Sequence, residues 1–323
     1  MISRRALLQS LLAAGGTPFA GVAEAQAYPA RPIRLIVPFA AGSLNDVVAR
    51  LVTEPLAARL GQNIIIDNRP GAGTLLGTRA TAAAEPDGYT LLFNSSSLLV
   101  APTMYKDRSY DPLRSFDAVA NVAWASWITV IESSLPARTL AEFVAHAKAN
   151  PGKLTVGFVS GTAPQLVGEW LKIKTGMDLT SVAYRGGTQM YADLMAGRIH
   201  LYIAPATAVL PLIEAGRFRA INYWSAQRSP QFPDVPTMIE SGFPGIALGY
   251  WAGMFAPAGT PRPAVERINQ EINAALRLPH VVERMEKLGL EGRPGSPGDF
   301  AAFLVEEFPK WVEMVEVSGV KGE

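Results

Sequence analysis

Short apolar runs alternate with amphipathic stretches along most of the chain, and this alternation predicts strands followed by helices. The run Ile33 to Phe39 suits a strand that is buried on both faces, and Val47 to Leu56 has the spacing of a helix. Ile64 to Ile66 and Tyr89 to Phe93 predict two further strands, with a turn and a helix at 71–84 between them. This β-α-β-α-β order predicts a mostly parallel sheet that is covered by helices.

A second set of the same kind follows. Its strands are predicted at 127–131, 154–159, 181–184 and 201–203, and its helices at 139–149, 165–174 and 190–196. The tail predicts a strand at Phe218 to Trp224, an apolar run at Tyr250 to Phe255, and helices that begin at Pro263 and Pro297, where a first turn tolerates proline. Because these late elements need a sheet to cover, we expect them to return to the first set.

Two similar halves and a returning tail predict two lobes, which also agrees with a length of 323 residues. We expect residues 28–125 plus 225–323 to form a discontinuous first lobe and residues 126–224 to form an inserted second lobe.

The first 27 residues have the pattern of a signal peptide. Arg4 and Arg5 precede the apolar run Ala6 to Ala14, and a small-residue stretch ends in Ala25-Gln26-Ala27, an A-x-A cleavage site. Gly15 and nearby breakers cut the apolar run short of the roughly 20 residues that span a bilayer, which argues against a membrane anchor. We therefore expect a periplasmic protein cleaved near Ala27, and the paired arginines also fit the twin-arginine export route.

The composition restricts the kinds of partner and cofactor that the chain is expected to bind. Lys+Arg number 29 and Asp+Glu 28, so the chain has no overall field that would attract nucleic acid or an anionic membrane. The absence of cysteine excludes disulfides, thiolate metal sites and cysteine nucleophiles. The three histidines are scattered and form neither H-E-x-x-H nor a recognisable triad, so we expect no metal, no cofactor and no catalytic residue.

Several sequence blocks resemble the substrate-binding receptors of tripartite tricarboxylate transporters, also called Bug-type receptors. These blocks follow the family's order over nearly all of the mature chain, and they are PFAAGSLND (38–46), NRPGAG (68–73), PDGYTLL (86–92), ANPGKL (149–154), YRGG (184–187), PDVPT (233–237) and APAGTP (256–261). The resemblance implies an α/β, two-lobed periplasmic binding protein fold of type II, with a cleft between two mixed-sheet lobes. It also implies a small carboxylate ligand and two membrane subunits as partners. We further expect a monomer, and the neutral charge balance predicts no binding to nucleic acid.

The candidate ligand-binding residues lie mainly where strands end and helices begin. Gly42 and Ser43 are expected to leave backbone amides free at a helix start, where the helix dipole favours an anion. Thr162 offers a hydroxyl at a second helix start, and Arg185, which stands where the family has Lys, either forks onto a carboxylate or lies at the rim. With the residues that the resemblance adds, the full set is Phe39, Ala41, Gly42, Ser43, Asp46, Ser95, Ser96, Trp124, Trp127, Ser160, Thr162, Arg185, Gly186 and Ala204.

Large aromatic residues stand near the expected crossings between lobes, where the family commonly has smaller side chains. Trp124, Trp127, Tyr223 and Trp224 either fill the core or form a binding surface. As a binding surface, they favour a ligand with one carboxylate and an apolar or aromatic body, which would stack on Trp124 or Trp127.

Two other functions compete with a transport receptor. An exported enzyme that acts on a carboxylate needs a positioned base near a nucleophile, and no motif supplies this pair. A sensor module of the same fold needs a signalling partner. The same fold also serves as the effector domain of transcription regulators, which need a basic DNA-binding segment, whereas this N-terminus resembles a signal peptide. We therefore expect a receptor that closes on a ligand and docks on membrane subunits.

Overall fold

The computed structural model describes residues 28–107, 109–159, 163–184 and 187–320. The expected signal peptide, residues 1–27, and the candidate site residues Ser160, Thr162, Arg185 and Gly186 lie outside these ranges. The elements up to the longest strand are β1 (Ile33–Val37), α1 (Leu44–Leu60), β2 (Ile64–Asn68), α2 (Leu75–Ala82), β3 (Thr90–Ser95), α3 (Ser97–Met104) and β4 (Phe116–Glu132).

The elements after the longest strand include six further strands and seven further helices. They are α4 (Leu140–Ala149), β5 (Leu154–Val159), α5 (Ala163–Thr175), β6 (Leu179–Tyr184), α6 (Gly187–Met195), β7 (Leu201–Pro205), α7 (Ala206–Glu214), β8 (Phe218–Tyr223), β9 (Gly249–Pro257), α8 (Arg262–Ala275), α9 (Pro279–Lys287), β10 (Glu291–Gly292) and α10 (Pro297–Ser318).

Strand β4 connects two groups of strands. Its first part pairs antiparallel with β9 as far as Ser126, and its last part, from Trp127, pairs antiparallel with β7. The strand order is β2-β1-β3-β9-β4-β7-β5-β6, and β8 and β10 also pair with β4. The predicted parallel pairing is confirmed for β1 with β2 and β3, and for β5 with β6 and β7. The antiparallel strands β4, β8, β9 and β10 make the sheet mixed.

The sequence pattern missed the length of β4 and the existence of two helices. Alanines at positions such as 118, 120 and 123 weaken the strand signal of β4, because alanine is depleted in strands. Helices α3 and α7 contain Pro102 and Pro211, which read as helix breaks in a sequence. Both helices are nevertheless anchored by buried leucines or valines, so packing outweighs the local preference.

Helix α10 packs against α3, β4 and α5, so it contacts elements on both sides of the crossing in β4. Its Trp311 ring lies 5.8 Å from the ring of Trp127, which in turn lies 6.4 Å from Trp224. An ion pair of 2.8 Å joins Lys174 of α5 to Glu313 of α10. Helices α8 and α9 pack instead on α1. The boundaries of the two lobes at residues 125 and 225 stay a prediction.

Across the described part of the chain, each helix lacks the combination of length and apolar character that crossing a membrane requires. The helices rest instead on the mixed sheet, where they bury apolar side chains around β4 and β9.

Candidate functional site

The loop between β1 and α1 is held in place by the carboxylate of Asp46. Its Oδ2 accepts a hydrogen bond from the amide of Gly42 at 2.8 Å and from Nε of Arg50 at 2.9 Å. Its Oδ1 accepts from Nδ2 of Asn68 at 2.8 Å, and the same Nδ2 donates to the carbonyl of Phe39 at 3.1 Å. The loop, the helix start and the end of β2 are therefore tied together by one buried carboxylate.

The charge of Asp46 is maintained by these partners. Burial alone raises the pKa of a carboxyl group. The hydrogen bonds from Arg50, Gly42 and Asn68 together outweigh burial and hold the pKa of Asp46 below its ordinary value. The side chain is 2% exposed and both of its oxygens accept hydrogen bonds from protein groups, so Asp46 braces the loop between β1 and α1.

Helix α1 begins at an N-cap that also engages the amide of Asp46. Ser43 is the N-cap, and its hydroxyl accepts a hydrogen bond from the amide of Asp46 at 3.3 Å. The expectation that Gly42 and Ser43 offer free amides is wrong, because the Gly42 amide donates to Asp46 and the Ser43 amide donates to the carbonyl of Ala40. Within the described residues, the amides of Leu44 and Asn45 have no protein partner, so these are the donors that α1 leaves for an anion.

Three consecutive serines span the end of β3 and the start of α3. Ser95 and Ser96 are 5% and 6% exposed, and Ser97 begins α3. In the part of the chain that the structure describes, none of their hydroxyls makes a hydrogen bond to another protein group. Asn94 fixes the approach to them, because its Nδ2 donates to Oγ1 of Thr78 at 3.0 Å and its Oδ1 accepts from the Ser95 amide at 2.8 Å.

Register brings the first loop and the serines to one edge of the sheet. Strands β1 and β3 are parallel, with Ile36 opposite Leu92, so the loop after β1 and the serines at the end of β3 leave the sheet at the same edge. The carboxyl ends of parallel strands are where open α/β sheets bind ligands. The loop that contains exposed Ala41 and Gly42 therefore neighbours the serines after β3.

A cavity extends from the serines toward the second half of the chain. Its lining residues are Gly73, Ser96, Ser97, Val100, Ala101, Met104 and Tyr105, together with Ala163 and Leu166 of α5. Ala163 directly follows Thr162, the hydroxyl that the sequence predicts at the second helix start. The cavity therefore lies between the end of β3 and the start of α5.

Tyr250 is a candidate that the sequence pattern missed. It lies on β9 opposite Ala125 of β4, and its hydroxyl donates to Oδ1 of Asn45 at 3.0 Å. Burial raises the pKa of Tyr250, so the hydroxyl stays a donor. This contact joins the crossing strands to the first turn of α1 across a separation of 205 residues, which leaves no local signal in the sequence.

Trp127 does not provide the ring-stacking surface that the sequence suggested. Its side chain is 2% exposed, and the rings of Trp224 and Trp311 stand against it. Ala204 is fully buried as well, opposite Ile128 in the core of the second half. The side chains of Trp127 and Ala204 therefore fill the core, because each lies on a strand face that is covered by other elements.

Trp124 has a different environment from Trp127. Its ring packs edge-on against Phe303, at 5.7 Å between centroids, and the Arg293 guanidinium lies 4.7 Å from its centroid. The half-buried side chain also borders a second cavity, together with Ser126 and Tyr223. Of the two tryptophans proposed for stacking, Trp124 alone retains accessible surface.

Several known proteins are similar to this chain over most of its length. A UPF0065 protein from the tcbD-tcbE intergenic region of Pseudomonas sp. (strain P51) is 35% identical over 97% of this chain and 94% of its own length. Protein BugT of Bordetella pertussis is 35% identical over 94% of each chain. The solved structure of the periplasmic binding protein BugD is 33% identical, with a TM-score of 0.72 over 92% of this chain and all of that chain.

Two similar solved structures contain carboxylates. R. palustris Rpa4515 with adipate is 31% identical, with a TM-score of 0.73 over 90% of this chain and 98% of that chain. MatC from Rhodopseudomonas palustris with bound malate is also 31% identical, with a TM-score of 0.72 over 89% of this chain and all of that chain.

The fold and the similar structures define a two-lobed solute-binding protein of the periplasmic type. The model of the tripartite tricarboxylate transporter family receptor matches residues 48–320, and the chain belongs to this family. The expected resemblance and the expected fold class are thereby confirmed.

Proposed function

We propose that this protein is an exported receptor that binds a small carboxylate between its lobes and delivers it to the membrane subunits of a tripartite tricarboxylate-type transporter. The observation that carries the proposal is a set of uncommitted donors at one sheet edge. The amides of Leu44 and Asn45 and the hydroxyls of Ser95 and Ser96 face no protein acceptor within the described ranges. Donors that are fixed before binding lose little freedom when a carboxylate arrives.

The loop that carries two of these donors is braced before any ligand binds. Asp46 holds Gly42, Arg50 and Asn68, so the start of α1 keeps its position without help from the ligand. The helix dipole adds a favourable field for an anion at this point. The carboxylates in the structures of Rpa4515 and MatC support the same ligand class for this chain.

We propose that the second half of the chain completes the carboxylate-binding site with residues outside the described ranges. Ser160 and Thr162 would offer hydroxyls, Gly186 a backbone amide, and Arg185 a guanidinium that forks onto a carboxylate. Thr162 immediately precedes Ala163, which lines the cavity beside Ser96. Closing the two lobes would then bring donors from both sides onto one ligand.

Export and partner choice belong to the same proposal. The N-terminal pattern supports cleavage near Ala27 and export to the periplasm. The paired Arg4 and Arg5 support the twin-arginine export route. The protein is proposed to act as a monomer and to catalyse no reaction. The family to which it belongs supports two membrane subunits as its partners.

A thermal-shift screen against mono-, di- and tricarboxylates tests the proposal. A ligand at 100 times its Kd should add about 2.7 kcal/mol of stability. Replacing Ser43 by Pro and Thr162 by Val together should abolish that shift, whereas Thr139→Val, which removes the cap of the remote helix α4, should keep it. A shift that survives the double replacement would show that the carboxylate binds elsewhere.

A further inference from the structure

The cavity beside the serines is apolar along its length. Val100, Ala101 and Met104 of α3 form one wall, and Leu166 of α5 forms the other. The polar side chains of the lining are Ser96, Ser97 and Tyr105. Within the described lining, no side chain carries a charge. Burying a second carboxylate against such walls would leave that charge unpaired, which is strongly unfavourable.

The size of the cavity restricts the group that it can hold. Its volume is about 70 Å³. An apolar cavity of about 150 Å³ accepts a benzene ring in another protein, so the present cavity is too small for an aromatic ring without rearrangement. A short aliphatic chain fits both the volume and the apolar walls.

Gly73 sets the far end of this cavity. Its φ is +57°, and a Cβ atom at this position would lie 2.5 Å from a ring carbon of Tyr105. The neighbouring Ala72 and Thr74 also have positive φ angles, of 45° and 83°. The turn therefore brings bare backbone against the Tyr105 ring, and both residues line the cavity.

We infer that the ligand is an aliphatic monocarboxylate with a compact apolar body, seated between α3 and α5. The inference rests on the proposed receptor function and names the substrate class for the same cleft. The carboxylate lies at the Ser96 and Ser97 end, near the helix start that Ala163 begins. The apolar body lies against Val100 and Leu166 and displaces the water that this cavity would hold.

Calorimetric titration with butanoate and succinate tests the inference. Both acids have four carbons, and they differ by one carboxylate. Butanoate is expected to bind at least about tenfold more tightly than succinate, because its terminal methyl group enters the apolar cavity while a carboxylate would be desolvated there. Tighter binding of succinate, or of benzoate, than of butanoate would overturn the inference.

Two variants test the position of the apolar body. Ala101→Val fills the cavity and should weaken butanoate binding about tenfold while leaving acetate binding unchanged. Leu166→Ala enlarges the cavity and should improve the binding of hexanoate relative to butanoate. Leu171→Ala is the matched control, because Leu171 lies on the same helix, is equally buried at 1% exposure, and does not line the cavity.

The outcomes separate this inference from the proposed function. If both cavity variants bind each acid as the unaltered protein does, the apolar body lies elsewhere and the inference is overturned, although the receptor function stands. If no acid of the mono-, di- and tricarboxylate screen binds the unaltered protein, the proposed function is overturned and the inference falls with it.

Discussion

The amide of Gly42 donates a hydrogen bond to the carboxylate of Asp46 across 2.8 Å, so the side chain four residues further on fixes the turn before α1. Gly42 has a φ of +80°, a conformation that glycine adopts without strain. This pair determines which donors are left for a ligand. The Gly42 amide is consumed within the protein, and the amides of Leu44 and Asn45 are presented instead.

Removing the Asp46 side chain should loosen the ligand loop. Asp46→Ala leaves the donors of Gly42, Arg50 and Asn68 without their acceptor, and we expect a loss of about 1–3 kcal/mol in the free energy of unfolding. We also expect weaker carboxylate binding, measured by calorimetric titration. Asp299→Ala is the matched control, because Asp299 occupies the equivalent position at the start of α10. Equal losses of ligand affinity in both variants would contradict the role given to Asp46.

The stability that Asp46 contributes should depend on pH. Its folded-state pKa is lowered, so its contribution is complete above the ordinary carboxyl pKa of 3.8 and is lost as the pH falls through the lowered value. Urea unfolding of the unaltered protein and of Asp46→Asn should therefore differ at pH 7. The difference should shrink progressively below pH 3.8. A difference that grows on acidification would contradict this sign.

Adding a side chain at Gly42 should weaken carboxylate binding. Gly42→Ala imposes a left-handed conformation on alanine at a cost of about 1 kcal/mol, although no atom lies within 4 Å of the added Cβ. Gly259→Ala is the control, since Gly259 has a φ of +87°, is equally open, and donates its amide to Asp117. Both variants should lose similar stability in urea, and only Gly42→Ala should lose carboxylate affinity. Unchanged carboxylate affinity in Gly42→Ala would show that this loop is not part of the ligand site.

Trp311 should be the main anchor of α10. It is fully buried against Trp127, and Trp311→Ala is expected to lower the free energy of unfolding by about 3–5 kcal/mol. Val305→Ala on the same helix should change stability by less than about 0.5 kcal/mol, because Val305 is 59% exposed. A small effect of Trp311→Ala would show that α10 is held by its other contacts.

Parallel strands were predictable because apolar runs such as Ile33 to Val37 show burial on both faces in the sequence itself. The serines after β3 were predictable as candidates for the same reason, since the end of a parallel strand marks the ligand edge. The loop before α1 stays a predicted ligand loop, and its amides without a protein partner lie two residues further on than expected, at Leu44 and Asn45. The pattern Ser43-x-x-Asp46 was the available signal for this shift, because the N-cap hydroxyl accepts from the Asp46 amide while the Asp46 carboxylate accepts from an amide before the helix, that of Gly42.

Other parts of the site depended on contacts that no local pattern carries. The hydrogen bond from Tyr250 to Asn45 joins residues far apart in the chain, and the burial of Trp127 depends on α10. An aromatic residue in a strand reads equally well as core or as binding surface until the covering helix is known.

The receptor function predicts binding without chemical change, and a titration followed by recovery of the ligand measures both. Purified protein should bind one carboxylate per chain with saturable heat in calorimetry, and proton NMR of the recovered acid should match the acid that was added. Absence of a saturable signal with every mono-, di- and tricarboxylate, or recovery of an altered acid at more than one equivalent per chain, would contradict the proposed function.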